Sequence, residues 1–345
     1  MNKTFAGKLN KRHHRRRALM VIVGAIKQFM AFIGIIAVSI AGSIPCQAAE
    51  KNLVVNFNYK GKPYSIHGRK VKMHTYLFNA GAHKTISITT LNWPPYIGEN
   101  ICKQGWVQQF TIALLASQGY EVLSTFYPWA RTIGEAEHGK VDILYPEYYI
   151  ESTAPSDVHK GTFRVEHLAL SERFPGGTIA FMKRKGTKDS YKGDFYNLND
   201  EKIGVVRGYQ NTPEFDALMD KDFFSIDKAV DDMINARKLV AGRVNLIIGD
   251  PTVIRFSVMN SGLEPGLKQN IIDNLEIVTP YIQYNYLYYA VSKKRPGWKQ
   301  TLEMLNRTIA EFEASGELFR IIRETNKSCA YEMDSLTPYK HAYGQ

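Results

Sequence analysis

From Thr85 onward, apolar positions recur along the chain with two alternating periods. Ile86 and Ile88 alternate with polar neighbours in a β-branched run that stops at Trp93-Pro94-Pro95-Tyr96, which predicts a strand ended by paired prolines. Trp106–Ser117 has apolar residues at helical spacing and stops at Gln118-Gly119. Tyr120–Phe126 predicts a strand, Ala130–His138 a helix ended by Gly139, and Val141–Tyr145 a buried strand. This β-α-β-α-β order implies a mostly parallel sheet covered by helices. Gly176-Gly177 opens a second unit with a strand at Thr178–Met182, followed by a Lys/Gly/Tyr-rich loop through Lys192. Next come a strand at Lys202–Val206 and a helix from Pro213, where Thr212 followed by Pro is a good start signal. A helix over Asp227–Ala241 ends at Gly242, and a strand over Val244–Ile248 carries Gly249-Asp250-Pro251 at its tip. Tyr286–Ser292 predicts a strand, Trp298–Ser315 a helix stopped by Gly316, and Leu318–Glu324 a last helical turn or two. No repeat at solenoid period is visible.

The start of the chain reads differently. Residues 1–17 carry seven bases and no acid, Ala18–Ile44 is apolar apart from Lys27-Gln28, and Cys46-Gln47-Ala48-Ala49 is a small-residue end. That pattern is an export signal, with cleavage expected after Ala48 or Ala49 and an uncleaved anchor as the alternative. Arg15-Arg16-Arg17 before Ala18-Leu19 loosely matches a twin-arginine signal, and Met20 is an alternative start. The expected location is the periplasm.

Removing the signal changes the charge argument. The whole chain has 44 Lys+Arg against 33 Asp+Glu, but residues 1–49 hold eight of the bases and none of the acids, so 36 against 33 remain. The basic excess belongs mostly to the leader and does not argue for nucleic acid. Residues 50–84 form a basic extension with seven bases against Glu50, and without it the body has 29 against 32. Val54, Phe57, Tyr59, Tyr64 and Ile66 around Gly61-Lys62-Pro63 allow a hairpin there, and a solvated arm is the other reading.

Candidate chemistry is sparse. Trp93 and Tyr96 stand at the C-terminal end of a predicted strand, where open α/β sheets bind ligands, and they offer a rigid apolar wall. Two cysteines remain after the leader, Cys102 and Cys329, and in an oxidising compartment the pair is expected to bridge, stapling the C-terminus to the first lobe. No nucleophile elbow, phosphate loop or metal spacing is present, so neither a cofactor nor a metal is expected.

GKVDILY at 139–145, KIGVVRGYQ at 202–210, AGRVNLIIGD at 241–250 and YYAVSKKRPGW with LNRTIAEFEASGEL at 288–318 occur in an order that resembles the bacterial extracellular solute-binding proteins of family 3. These are receptors of polar amino-acid ABC importers, and the similarity spans roughly 85–324. The resemblance implies a two-lobed, type II periplasmic-binding-protein α/β fold with two hinge crossovers and a ligand cleft. Lobe 1 would cover 85–175 completed by 285–325, lobe 2 would cover 176–284, and 326–345 would be a tail. It implies a monomer that closes on a small-molecule solute and is read by a membrane permease.

Carried onto this sequence, the resemblance puts Trp93 and Trp129 against the solute's apolar portion and Asp250 on its α-ammonium. Gly208-Tyr209-Gln210 is matched to the turn that presents backbone N–H groups to an anion. The family's carboxylate-binding Arg falls twelve residues after Asp142, at Ala154, and Ala supplies no guanidinium fork. Arg131 or Arg207 is then expected to take the anion; alternatively Glu147, Asp250 and tyrosines favour a cationic or amine-bearing solute. The leading expectation is a binding protein and not an enzyme. A dehydratase-like enzyme using Glu147 and Asp250, or a ligand-sensing partner of a membrane receptor, are the other classes.

Overall fold

The computed structural model describes residues 53–156 and 158–329. The expected export signal with its Ala48/Ala49 cleavage point lies outside them, as does the tail expected at 326–345 from residue 330 on, while 326–328 belong to the last helix. Thirteen strands form a mixed, continuous sheet in the order β1 (Leu53–Tyr59), β2 (Lys62–Lys72), β3 (Thr75–Phe78), β5 (Tyr120–Phe126), β4 (Lys84–Thr90), β6 (Ile143–Glu147), β13 (Gln283–Ser292), β8 (Phe174–Arg184), β11 (Leu246–Gly249), β9 (Lys202–Val206) and β10 (Ser225–Ala229), with β7 (Leu168–Leu170) and β12 (Leu275–Ile277) at its sides.

In the first half, β4 (Lys84–Thr90) lies between β5 (Tyr120–Phe126) and β6 (Ile143–Glu147), and all three run parallel. The intervening α1 (Trp106–Ser117) is buried on nearly every face, which fits its all-round apolar composition. α2 (Trp129–Glu137) is the second connection, and a short turn, α3 (Arg164–His167), precedes β7 (Leu168–Leu170). In the second half, β9 (Lys202–Val206) is flanked by β10 (Ser225–Ala229) and β11 (Leu246–Gly249), again parallel. α4 (Pro213–Asp220), α5 (Asp232–Val240), α6 (Pro251–Met259) and α7 (Pro265–Asp273) belong to this half, with β12 (Leu275–Ile277) on β8. Two long antiparallel strands join the halves. β8 (Phe174–Arg184) pairs with β13 (Gln283–Ser292) through its first residues and with β11 through its last, while β13 runs on to pair with β6 and β7. α8 (Trp298–Ala314) and α9 (Glu317–Ser328) close the chain on the first half.

Residues 53–78 are not a solvated arm. β1 (Leu53–Tyr59), β2 (Lys62–Lys72) and β3 (Thr75–Phe78) form an antiparallel meander that extends the sheet through β3 against β5. The first hairpin turns on Lys60 and Gly61, both with positive φ (50° and 74°), as a two-residue turn requires. Val55 and Phe57 are buried between exposed Asn56 and Asn58, and Phe57 packs 6.0 Å from Phe312 of α8. Burial of that alternating apolar face holds the segment down despite its basic outer face.

A second difference lies at Asp227–Ala241, expected as one helix. Ser225–Ala229 is the edge strand β10, and the helix starts only after Asp231, whose side chain accepts the Ile234 N–H at 2.7 Å. An Asp N-cap outranks helical periodicity at that boundary. Cys102 and Cys329 are bonded, with Cα atoms 5.7 Å apart across 227 residues of sequence.

Candidate functional site

The parallel strands of both halves point their C-terminal ends at one cleft. β4 leads into Trp93, β6 ends on Glu147, β9 runs into Arg207-Gly208, and β11 into Asp250. Between the halves is a space of about 20 Å³, lined by Trp93, Trp129, Glu147, Tyr148, Tyr209 and Gln210, with Leu91, Pro146 and Leu287 completing it. That volume admits about one water-sized group.

The aromatic wall is fixed by the loop that follows β4. Trp93 and Ile97 exchange backbone hydrogen bonds (2.7 and 3.1 Å) across the two prolines, which turns the Trp93 ring onto Tyr96 at 4.6 Å and edge-on to Tyr148 at 5.5 Å. Trp129 starts α2 behind Pro128 and donates its indole N–H to the Gly208 carbonyl at 3.1 Å, joining the two halves. Gly208 has φ +86°, a backbone conformation that favours glycine, and an added Cβ would stand 3.3 Å from the Trp129 ring.

Tyr96 and Asp250 sit together but not in this space. The Tyr96 hydroxyl is 2.9 Å from Asp250 Oδ2 and 3.0 Å from the Gly176 carbonyl. Asp250 Oδ1 caps α6 by accepting the Thr252 N–H at 2.8 Å. Both Asp250 oxygens thus have protein partners, and Asp250 lines neither cleft space described here. Arg131 and Arg207 do not reach the cleft either. Arg131 is 58% exposed, lies 3.9 Å over the Tyr127 ring and faces Glu135, while Arg207 is exposed at the end of β9.

The buried arginine is Arg164, which the sequence reading did not select. It is 2% exposed and donates Nη1–H to the same Gly208 carbonyl at 2.9 Å. Its backbone N–H donates to the Ala154 carbonyl at 2.9 Å, and Pro155 bridges Phe163. The intervening loop returns on itself, so Arg164 stands beside Ala154, ten residues late by counting. Spacing along the sequence hides this; only the bridge reveals it.

The electrostatics of the cleft are acidic. Burial pushes Glu147 up to about 7 against the opposing pull of Arg164. Burial likewise raises Asp232 to about 7, with Tyr209 Oη–H donating to its Oδ2 at 2.9 Å, and Asp250 to about 6. Asp216, at the outer edge of the cleft, rises to about 7 for the same reason while accepting two hydrogen bonds from Asn211. Three buried polar atoms on the residues lining the small space have no partner among the described residues: Glu147 Oε2, Tyr148 Oη and Gln210 Oε1. All three can accept a hydrogen bond, and the first two of those atoms belong to consecutive residues.

No family model matches the chain, and no curated protein matches it. Solved structures do. An ancestral arginine-binding protein bound to arginine matches with a TM-score of 0.55 at 19% identity, over 70% of this chain and 98% of that one. A histidine kinase sensor domain with similarity to periplasmic binding proteins matches with a TM-score of 0.55 at 17% identity, over 70% and 96%. An ancestral amino-acid-binding protein, a precursor of cyclohexadienyl dehydratase, matches with a TM-score of 0.52 at 18% identity, over 70% and 94%. At these identities the likeness concerns architecture, and the chain has the two-lobed α/β fold of periplasmic binding proteins.

Proposed function

We propose that this chain is an exported solute-binding protein whose two halves close on a small solute carrying a primary ammonium group, for delivery to a membrane permease. The observation that carries the reading is the coincidence of size and valence in the inner cleft. A space of about 20 Å³ holds one water-sized group, and its lining residues bear three unpartnered buried acceptors. An –NH₃⁺ group is that size and brings three donors. The surrounding Trp93, Trp129 and Tyr209 rings favour a cation, and the nearby carboxylates, raised chiefly by burial, would be stabilised in their charged form by a positive charge beside them. In this reading Glu147 Oε2, Tyr148 Oη and Gln210 Oε1 accept from the ammonium, and Trp93 and Trp129 flank it. Arg164 and the Trp129 indole hold Gly208, and so the second half, in the closed position.

Scanning fluorimetry tests this with matched pairs of solutes, each primary amine against its N-acetylated form. A ligand at a hundred times its Kd adds about 2.7 kcal/mol, or about 4 °C in Tm for a protein of this size. Amines should raise Tm and their acetylated forms should not; stabilisation by carboxylates without an amine, and by no amine, overturns the reading. A second reading, an enzyme on this fold, is favoured by Glu147 lying near 7, where a carboxyl serves as acid or base. Mass spectrometry of any stabilising solute after incubation separates the two, since a binding protein returns it unchanged.

A further inference from the structure

The inner space is not the whole cleft. Tyr148 and Gln210 form its far wall, and behind them lies a second space of about 180 Å³, nine times larger. Tyr149 and the hinge-strand residues Tyr284, Tyr286 and Tyr288 give it aromatic sides. Tyr149 meets Tyr288 edge-on at 6.0 Å, and Tyr286 is backed by the Arg173 guanidinium at 4.1 Å. A register shift between Asn285 and Leu287 breaks the pairing of β13 with β8, so residues on both faces of β13 line one chamber.

Beside Thr212, Pro213 and the carboxylates of Glu151 and Asp216, the lining contains a relay of side-chain amides. Gln283 Nε2 donates to Asn285 Oδ1 at 2.5 Å, Asn285 Nδ2 to the Asn211 carbonyl at 2.6 Å, and Asn211 Nδ2 to Asp216 Oδ1 at 3.3 Å. The relay fixes these groups in place while using only part of their hydrogen-bonding capacity. Rigid tyrosine faces beside preset amides suit a neutral body with its own hydroxyls or amides. Neither a long aliphatic chain nor an anionic group matches that lining, and Asp216 already accepts from Asn211 through both of its oxygens. The two residues dividing the chambers, Tyr148 and Gln210, each carry one of the unpartnered acceptors, so a ligand anchored there reaches both sides.

Building on the ammonium reading above, we propose that the solute is a primary amine bearing a neutral, hydrogen-bonding body the size of one sugar ring or one peptide unit. Its ammonium enters the inner space and its body occupies the outer chamber. Tyr148 and Gln210 mark the junction, and Gln283, Asn285 and Tyr149 set specificity for the body.

Isothermal titration calorimetry on the purified protein tests this with four probes: ethanolamine, D-glucosamine, glycylglycinamide and N-acetylglucosamine. At least one of the two bodied amines should bind ten-fold or more tighter than ethanolamine, which fills the inner space alone. Gln283→Ala and Tyr149→Ala, both at exposed positions, should each cut that ratio at least three-fold with an unchanged ligand-free Tm. Ethanolamine binding as tightly as both bodied amines, or a ratio unmoved in both variants, overturns the outer chamber and leaves the ammonium reading standing. N-acetylglucosamine binding as well as glucosamine, with ethanolamine silent, removes the ammonium reading and this proposal with it.

Discussion

Replacing Glu147 by Gln separates what that carboxylate costs the fold from what it contributes to binding. The amide keeps the shape and retains an oxygen for the Tyr148 N–H, which Glu147 Oε1 now accepts at 2.9 Å. It removes a charge buried to 2% exposure. The folded-state pKa of about 7 lies above the ordinary value of 4.5, chiefly through burial, partly offset by Arg164 and reinforced by Glu137. A raised carboxyl pKa means the folded state holds more protons than the unfolded one between those values. Stability therefore falls as pH rises from about 4.5 to 7, and the full penalty is present above pH 7. A shift of that size corresponds to about 3 kcal/mol at pH 8 but under about 1 kcal/mol at pH 5. Without ligand, Glu147→Gln should melt higher than the parent by about 5 °C at pH 8 and nearly with it at pH 5. Asp216, Asp232 and Asp250 keep their own raised values, so the variant's pH slope flattens without vanishing. Affinity for an ammonium probe should move the opposite way and drop at least ten-fold, because a charge-assisted hydrogen bond becomes a neutral one. Thermal melts at the two pH values and one titration give both signs. A variant less stable than the parent at pH 8, or one that binds the amine unchanged, refutes the argument.

The other predictions test neighbouring parts of the same structure. Asp250→Ala should lower Tm, since it removes the α6 cap and leaves the buried Tyr96 hydroxyl short of a partner, while changing amine affinity less than three-fold; a larger loss returns Asp250 to the ligand. Gly177→Ala should abolish soluble expression or cut Tm sharply, because the new Cβ would lie 2.1 Å from Asp250 Oδ2 and 2.2 Å from Tyr96 Oη, both buried. Reduction of the Cys102–Cys329 bond should cost up to about 5 kcal/mol, read as a dithiothreitol-dependent fall in Tm that Cys329→Ser reproduces without the reductant.

Much of the order of strands and helices from Thr85 was legible, because those elements carry their own period and stop signal; β7, β10, β12, α6 and α7 were not read. Trp106–Ser117, Tyr120–Phe126 and Lys202–Val206 have the same limits in sequence and structure. The N-terminal meander was harder, since its outer face is lysine and arginine and its inner face has few apolar residues per strand. Its partners, β5 and Phe312, are contributed by distant parts of the chain. Part of the site was legible as well. Trp93, Trp129, Glu147, Tyr209 and Gln210 all meet in the cleft, whereas Tyr96 and Asp250 pair with each other beneath it. The outer chamber had one usable sign, the tyrosines at 284, 286 and 288 spaced as one strand face, which passed unread among so many aromatics.

The buried Arg164, standing beside Ala154 where the family resemblance places an arginine, connects these observations. An arginine reaching the solute supplies a fork for a carboxylate. Here the buried arginine spends a donor on the Gly208 carbonyl, a backbone group of the opposite half, and its charge offsets that of Glu147. A guanidinium used in this way links closure to the acidity of the pocket. When the halves part, Arg164 loses Gly208 and the cleft opens to water, so Glu147 returns toward an ordinary carboxylate. On the proposed reading, Glu147 is then ionised in the open form at pH 6.5; closing on a neutral solute would draw a proton onto it, whereas closing on an ammonium keeps it ionised. Titrations of the bound amine at pH 6.5 in buffers of different ionisation enthalpy should therefore give heats that do not depend on the buffer. Heats that change with the buffer in proportion to a proton taken up would mean that Glu147 is protonated in the closed complex and does not meet the ammonium as a carboxylate, and the coupling of charge to closure would have to be abandoned.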